Sequence, residues 1–219
     1  MNRRKFIYNS SIASLSVVGL NSCNILDENV KISILHTNDV HSQIEPFPSN
    51  HNIYPDRGGF AKRANIFNGL MKLNPNTLIF DAGDIFQGTP YFNFFQGELE
   101  LNLMKKMGYN AATIGNHEFD AGLDILKRNI INNDFQFISS NYDFTNTSLE
   151  GLVSRYKVYK KQNIRIGVFG LGIELKGLVN PKLYKETKYY DPIEISNEMT
   201  QKLKTCLLYT SPSPRDRVQ

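Results

Sequence analysis

The chain has 219 residues, an apolar content of 41% and a formal charge of +4, which is enough length and apolar content for one sizeable packed domain. The positive balance sits at the ends: Arg3, Arg4 and Lys5 at the front and Arg215, Asp216 and Arg217 at the back account for it, and between them Lys and Arg cancel Asp and Glu. No basic footprint for nucleic acid remains, and with only Cys23 and Cys206 available no structural disulfide is expected.

In chain order, Met1 to Phe6 is a basic stretch, Ile12 to Leu20 a short apolar one, and Leu20-Asn21-Ser22-Cys23 follows. The apolar run is too short to span a bilayer, so residues 1–22 read as an export signal. Arg3-Arg4-Lys5-Phe6-Ile7 resembles a twin-arginine signal, and Leu-x-Ser-Cys resembles a bacterial lipobox, which would make Cys23 the lipidated first mature residue. An ordinary cleaved signal with an incidental cysteine is the alternative. The expected location is extracytoplasmic: the periplasm, or the bacterial membrane surface through a lipid anchor at Cys23.

Lys31 to Leu35 reads as a buried strand, with His36 closing it in the core, and Glu45 to Arg57 as a Pro- and Asn-rich loop that includes His51. Gly59 to Leu73 has helical spacing, with Phe60, Ala64, Phe67 and Met71 on one face and Asn74-Pro75-Asn76 as its stop. Thr77 to Phe80 is a second buried strand. A helix follows over Gly97 to Met107, with Leu99, Leu103 and Met107 facing inward, and then a strand over Ala111 to Ile114. Ala121 to Ile131 is a helix, Phe135 to Ser139 a strand, and Arg155 to Tyr159 pairs with Ile164 to Leu171 around a turn. Strands alternating with helices predict an α/β domain with one core over residues 23–205. Ile195 to Leu203 is amphipathic, but Cys206 to Asp216 fits nothing before it. Back-translated, it matches a common transposase sequencing adapter, so residues 206–219 are expected to be read-through, with a Ser/Pro-rich disordered tail as the alternative.

Three strand ends release polar residues into loops: His36-Thr37-Asn38-Asp39-Val40-His41, Asp81-Ala82-Gly83-Asp84 and Gly115-Asn116-His117-Glu118-Phe119-Asp120. Strand-end loops are where α/β folds place sites. Oxygen and imidazole ligands without thiolate suit Mn, Fe, Zn or Mg. Arg57-Gly58-Gly59 reads either as a phosphate contact or as a helix entry, and Asn141 either as a residue near the site or as a turn residue.

Together, ILHTNDVHSQIEP, DAGDIFQGTP and TIGNHEFDAG resemble the calcineurin-like metallophosphoesterase superfamily, in its 5′-nucleotidase and UDP-sugar hydrolase branch, over roughly Ile32 to Leu171. The resemblance implies an incomplete metallophosphoesterase-type β-sandwich with mixed sheets flanked by helices, and two divalent metal ions. It implies that Asp39 and His41 hold the first metal, Asp84 bridges, and Asn116 serves the second metal. His117 is then the catalytic histidine and Asp120 its orienting partner. The implied reaction is hydrolysis of phosphate from extracytoplasmic nucleotides. Cyclic-nucleotide phosphodiesterase, UDP-sugar hydrolase, sulfur-compound esterase and a non-catalytic surface lipoprotein are the alternatives. The family also needs three later histidines and often a base-gripping domain, and no histidine follows His117. The polypeptide as written is therefore expected to bind metal poorly and to hydrolyse weakly or not at all, the function being that of an intact parent.

Overall fold

The structure is a computed structural model that describes residues 30–206. The expected export signal with its twin-arginine-like stretch, the expected lipidation position Cys23 and residues 207–219 of the expected read-through lie outside them. Strands β1 (Ser33–Thr37), β2 (Thr77–Asp81) and β3 (Ala111–Ala112) form a parallel sheet in that order. β1 and β2 run in register from Ser33 opposite Thr77 to Thr37 opposite Asp81. Single bridges from Ala112 to Phe137 and from Ile138 to Ser154 extend the sheet sideways. Helix α1 (Phe60–Leu73) connects β1 to β2, while α2 (Pro90–Phe95) and α3 (Glu98–Lys106) connect β2 to β3. Parallel strands need such crossovers, and these place the loops that leave β1, β2 and β3 at one end of the sheet.

After β3 come a 3-10 turn (His117–Phe119), helix α4 (Leu123–Asn133) and the short strand β4 (Tyr142–Asp143). The hairpin β5 (Tyr156–Lys161) and β6 (Ile164–Phe169) closes with Lys161 opposite Ile164, which leaves Gln162 and Asn163 as its turn. The chain continues through α5 (Pro181–Tyr184), β7 (Lys188–Tyr189), which pairs antiparallel with β4, and α6 (Pro192–Cys206). One apolar cluster runs from Phe67 and Ile79 through Leu101 and Met104 to Leu126, Phe137 and Leu149. This is the expected mixed α/β architecture of small sheets and helices around one core. Among the described residues no helix is long and apolar enough to cross a membrane.

Several expectations need correction. β1 is not buried: it ends the sheet order, its side chains alternate between covered and uncovered faces, and Ile34 is 57% exposed. His36 is accordingly exposed and does not sit in the core; it borders a cavity of about 270 Å³ beside Phe80 and Val168. The buried face of α3 carries Glu100, Leu101 and Met104, and Leu99 and Leu103 are only half-buried. Phe135 to Ser139 makes bridges but no named strand. The short elements α2, β4, α5 and β7 carried no recognisable period.

Candidate metal centre

The first loop, following β1, passes through left-handed backbone at Asp39, His41 and Ser42, with φ of 51°, 43° and 53°. Such residues cost on the order of 1 kcal/mol each and persist only where surroundings hold them. Here the second loop does so. The Asp39 N–H donates to Gly83 O at 3.0 Å, the His41 N–H to Asp84 O at 3.1 Å and the Ser42 N–H to Ile85 O at 2.7 Å. From below, the Ser42 hydroxyl donates to Glu100 Oε1 at 2.5 Å and the Thr89 hydroxyl donates to Ser42 O at 2.8 Å.

The third loop lies against the second, backbone to backbone. A Cβ on Gly83 would fall 2.8 Å from Gly115 N, and one on Gly115 would fall 2.7 Å from Asp84 N, so both positions require glycine. The His117 N–H donates to Asp84 Oδ1 at 3.1 Å, which turns that carboxylate toward the imidazoles. His117 Nδ1 lies 2.8 Å from Asp120 Oδ2. A carboxylate at that nitrogen favours the tautomer with the proton on Nδ1, which frees Nε2 for a ligand.

These contacts bring ligand atoms together. One each from His41, Asp84 and His117 lie within 4.8 Å of one another, and the two imidazoles meet edge-on at 4.9 Å between ring centroids. Asp39 Oδ1 is 3.8 Å from His41 Nε2, and the Asn38 side-chain amide donates to the other Asp39 oxygen. Imidazole nitrogen and carboxylate oxygen, partly exposed and convergent, fit a divalent cation of hard or borderline character. His117 falls inside this group as well as beside it in sequence, so the same ring can act as ligand or as proton donor.

Of the other predicted residues, Asn116 is half-buried and opens the 3-10 turn, its carbonyl accepting the Phe119 N–H at 3.2 Å. Arg57 is exposed in the loop before α1, with its backbone tied to Tyr54 and Phe47. Asn141 is fully buried, and backbone occupies both ends of its amide: Nδ2 donates to Gly172 O and Oδ1 accepts the Gly172 N–H, each at 2.8 Å. It ties the loop after β6 to β4. His51 is a loop residue, as read, its Nδ1 accepting the Tyr54 N–H at 2.9 Å.

Three acids to which the sequence reading gives no role are buried, two of them, Asp81 and Glu118, inside the strand-end motifs. Burial pushes Glu118 up to about 7 against the lowering pull of the Gly115, Ile85 and Asp84 N–H groups, and the Asp84 charge adds to the rise. Burial likewise raises Asp81 to about 6 and raises Glu100. An acid inside an apolar face, as Glu100 is beside Leu101 and Met104, was the available signal.

The fold and this cluster define an α/β protein with a His/Asp group able to hold a cation at the ends of parallel strands. Residues 32–198 match the family described as calcineurin-like phosphoesterase. The chain belongs to that family, whose members use divalent metals. Snake venom 5′-nucleotidase of Gloydius brevicauda is 32% identical over 183 residues, 80% of this chain and 31% of the relative. NAD 5′-nucleotidase of Haemophilus influenzae is 32% identical over 181 residues, 80% and 30% of the two chains. The crystal structure of a 5′-nucleotidase precursor from Thermus thermophilus superposes with a TM-score of 0.73 at 31% identity, covering 80% of this chain and 35% of that one. The chain thus spans about a third of the length of these relatives.

Proposed function

We propose that the protein is a metal-dependent phosphoester hydrolase that removes phosphate from nucleotides outside the cytoplasm, as a 5′-nucleotidase does. The observation that carries this reading is the convergence of His41, Asp84 and His117 within 4.8 Å, with Asp39 beside them. Asp39, His41, Asp84 and Asn116 are the residues that would hold two divalent ions. When bound, the ions supply positive charge and Lewis acidity for phosphoester hydrolysis.

The chain's own groups do the rest. Asp84 offers a carboxylate whose Oδ1 is already fixed by the His117 N–H. Asp120 fixes the His117 ring through Nδ1. The imidazolium form then donates from Nε2 to a phosphoryl oxygen as charge develops there. The extracytoplasmic location and a lipid anchor at Cys23 rest on the pattern of residues 1–23, and the names of the relatives support the nucleotide substrate.

The test is phosphate release from nucleoside monophosphates by the full-length protein after reconstitution with Mn²⁺, Zn²⁺ or Mg²⁺, against chelated protein. His117→Ala and Asn116→Ala are each expected to lower the rate on the order of 100-fold. Rates untouched by both changes would remove the site assignment.

A further inference from the structure

Glu118 is completely buried, at 0% exposure, and no catalytic step described above uses it. Its Oε2 accepts the N–H of Gly115 at 2.6 Å and of Asp84 at 3.0 Å; its Oε1 accepts those of Ile85 at 2.7 Å and Phe86 at 3.3 Å. Three of the four donors are consecutive residues of the second loop, and the fourth belongs to the third loop. Asp84 sits there in left-handed backbone at φ 56°, behind Gly83 at φ 101°. This conformation turns successive N–H groups inward into a concave anion seat. The exchange also runs the other way, because Asp84 Oδ1 accepts the His117 N–H. Each loop lends a carboxylate to the backbone of the other, and the glycine pair Gly83 and Gly115 leaves no side chain between them.

We propose that Glu118 is a positioning residue that ties the second and third loops together and thereby sets the separation of Asp84 from His117. The assignment rests on the reading of these loops as metal-bearing. Buried backbone N–H groups must find acceptors, and a single carboxylate that satisfies groups on two loops couples their positions. An apolar or amide side chain at this place would leave each loop free to relax alone.

Glu118→Gln keeps the shape, leaves one oxygen to accept, and turns an NH₂ group toward backbone donors. Two readouts separate positioning from packing. Amide exchange by NMR reports the tether in the unaltered chain. The Ile85 and Gly115 amides lie outside any strand or helix, yet should exchange roughly 100-fold slower than exposed loop amides. Mn²⁺ titration calorimetry reports the consequence: affinity should fall about 10–100-fold in Glu118→Gln, the range for groups that orient metal ligands. Ile130→Val, a core change in α4, should lower the thermal midpoint and leave Mn²⁺ affinity within about 2-fold.

Fast exchange of both amides in the unaltered chain overturns the proposal, as does undiminished Mn²⁺ affinity in Glu118→Gln. If Glu118→Gln does not fold, Glu118→Asp, one methylene too short to reach both loops, takes its place in the titration. The titrations use the full-length protein, because this polypeptide alone is expected to bind metal poorly; failure of the unaltered full-length protein to bind Mn²⁺ defeats the functional reading instead, and the exchange ratio then judges the tether alone.

Discussion

Asp81 closes β2 just before the second loop and is 3% exposed. Its Oδ1 accepts the Gly83 N–H at 2.9 Å, and its Oδ2 accepts the Thr37 hydroxyl at 2.5 Å. Burial raises its pKa from 3.8 to about 6; those two hydrogen bonds and the Arg63 charge only partly offset the rise, and Asp39 adds to it. A raised folded-state pKa means that the folded chain holds this proton more tightly than the unfolded chain. The favourable contribution is therefore complete below about 3.8 and is lost as pH climbs through about 6. At about 1.4 kcal/mol for each tenfold change in proton affinity, the loss comes to about 3 kcal/mol. Asp81→Asn keeps the shape and cannot ionise. In chelator-treated protein, urea denaturation should show the stability of the variant relative to the parent rising by about 3 kcal/mol between about pH 4 and about pH 7. A relative stability that stays level across that window refutes the claim that burial dominates at Asp81.

Gly115→Ala places a methyl group 2.7 Å from Asp84 N; it should cost about 1–3 kcal/mol in thermal melts and weaken Mn²⁺ binding at least about 10-fold. Gly69→Ala is the contrast: it lies in α1 with nothing within 4 Å of the new atom, so it should stabilise by about 0.4–1 kcal/mol with Mn²⁺ affinity unchanged. Asn141→Ala strips both Gly172 backbone groups of their partner and should cost about 1–3 kcal/mol. Calorimetry should find its Mn²⁺ affinity unaltered, because that amide is spent on backbone, and a marked loss of affinity would return Asn141 to the site.

The parts legible in the sequence are those governed by local period and local stops. α1 announced itself through Phe60, Ala64, Phe67 and Met71 and ended at Asn74, as read. β2 was legible as a continuous apolar run because it lies inside the sheet with nearly every side chain covered. β1 has similar composition, yet its burial depends on whether another strand lies beyond it, which five residues cannot encode; Ile34 and His36 were misplaced for that reason. α3 is rotated relative to the expected inward face of Leu99, Leu103 and Met107, because it buries Glu100, whose partner, the Ser42 hydroxyl, comes from 58 residues away. The site followed the same division. Its ligand-type side chains were visible as polar residues released at strand ends, and the structure gathers Asp39, His41, Asp84, His117 and Asp120. What holds them in place was not visible, since those bonds form only once two loops are packed together. Within Gly-Asn-His-Glu each residue then has separate work. Gly115 admits the Asp84 backbone, Asn116 starts the turn, His117 faces Asp84, and Glu118 takes the amides of the neighbouring loop. Only the third of these tasks can be inferred from side-chain chemistry alone. The first and last are set by the distance between two backbones, and for that reason a change at Gly115 or Glu118 should disturb metal binding without removing any ligand.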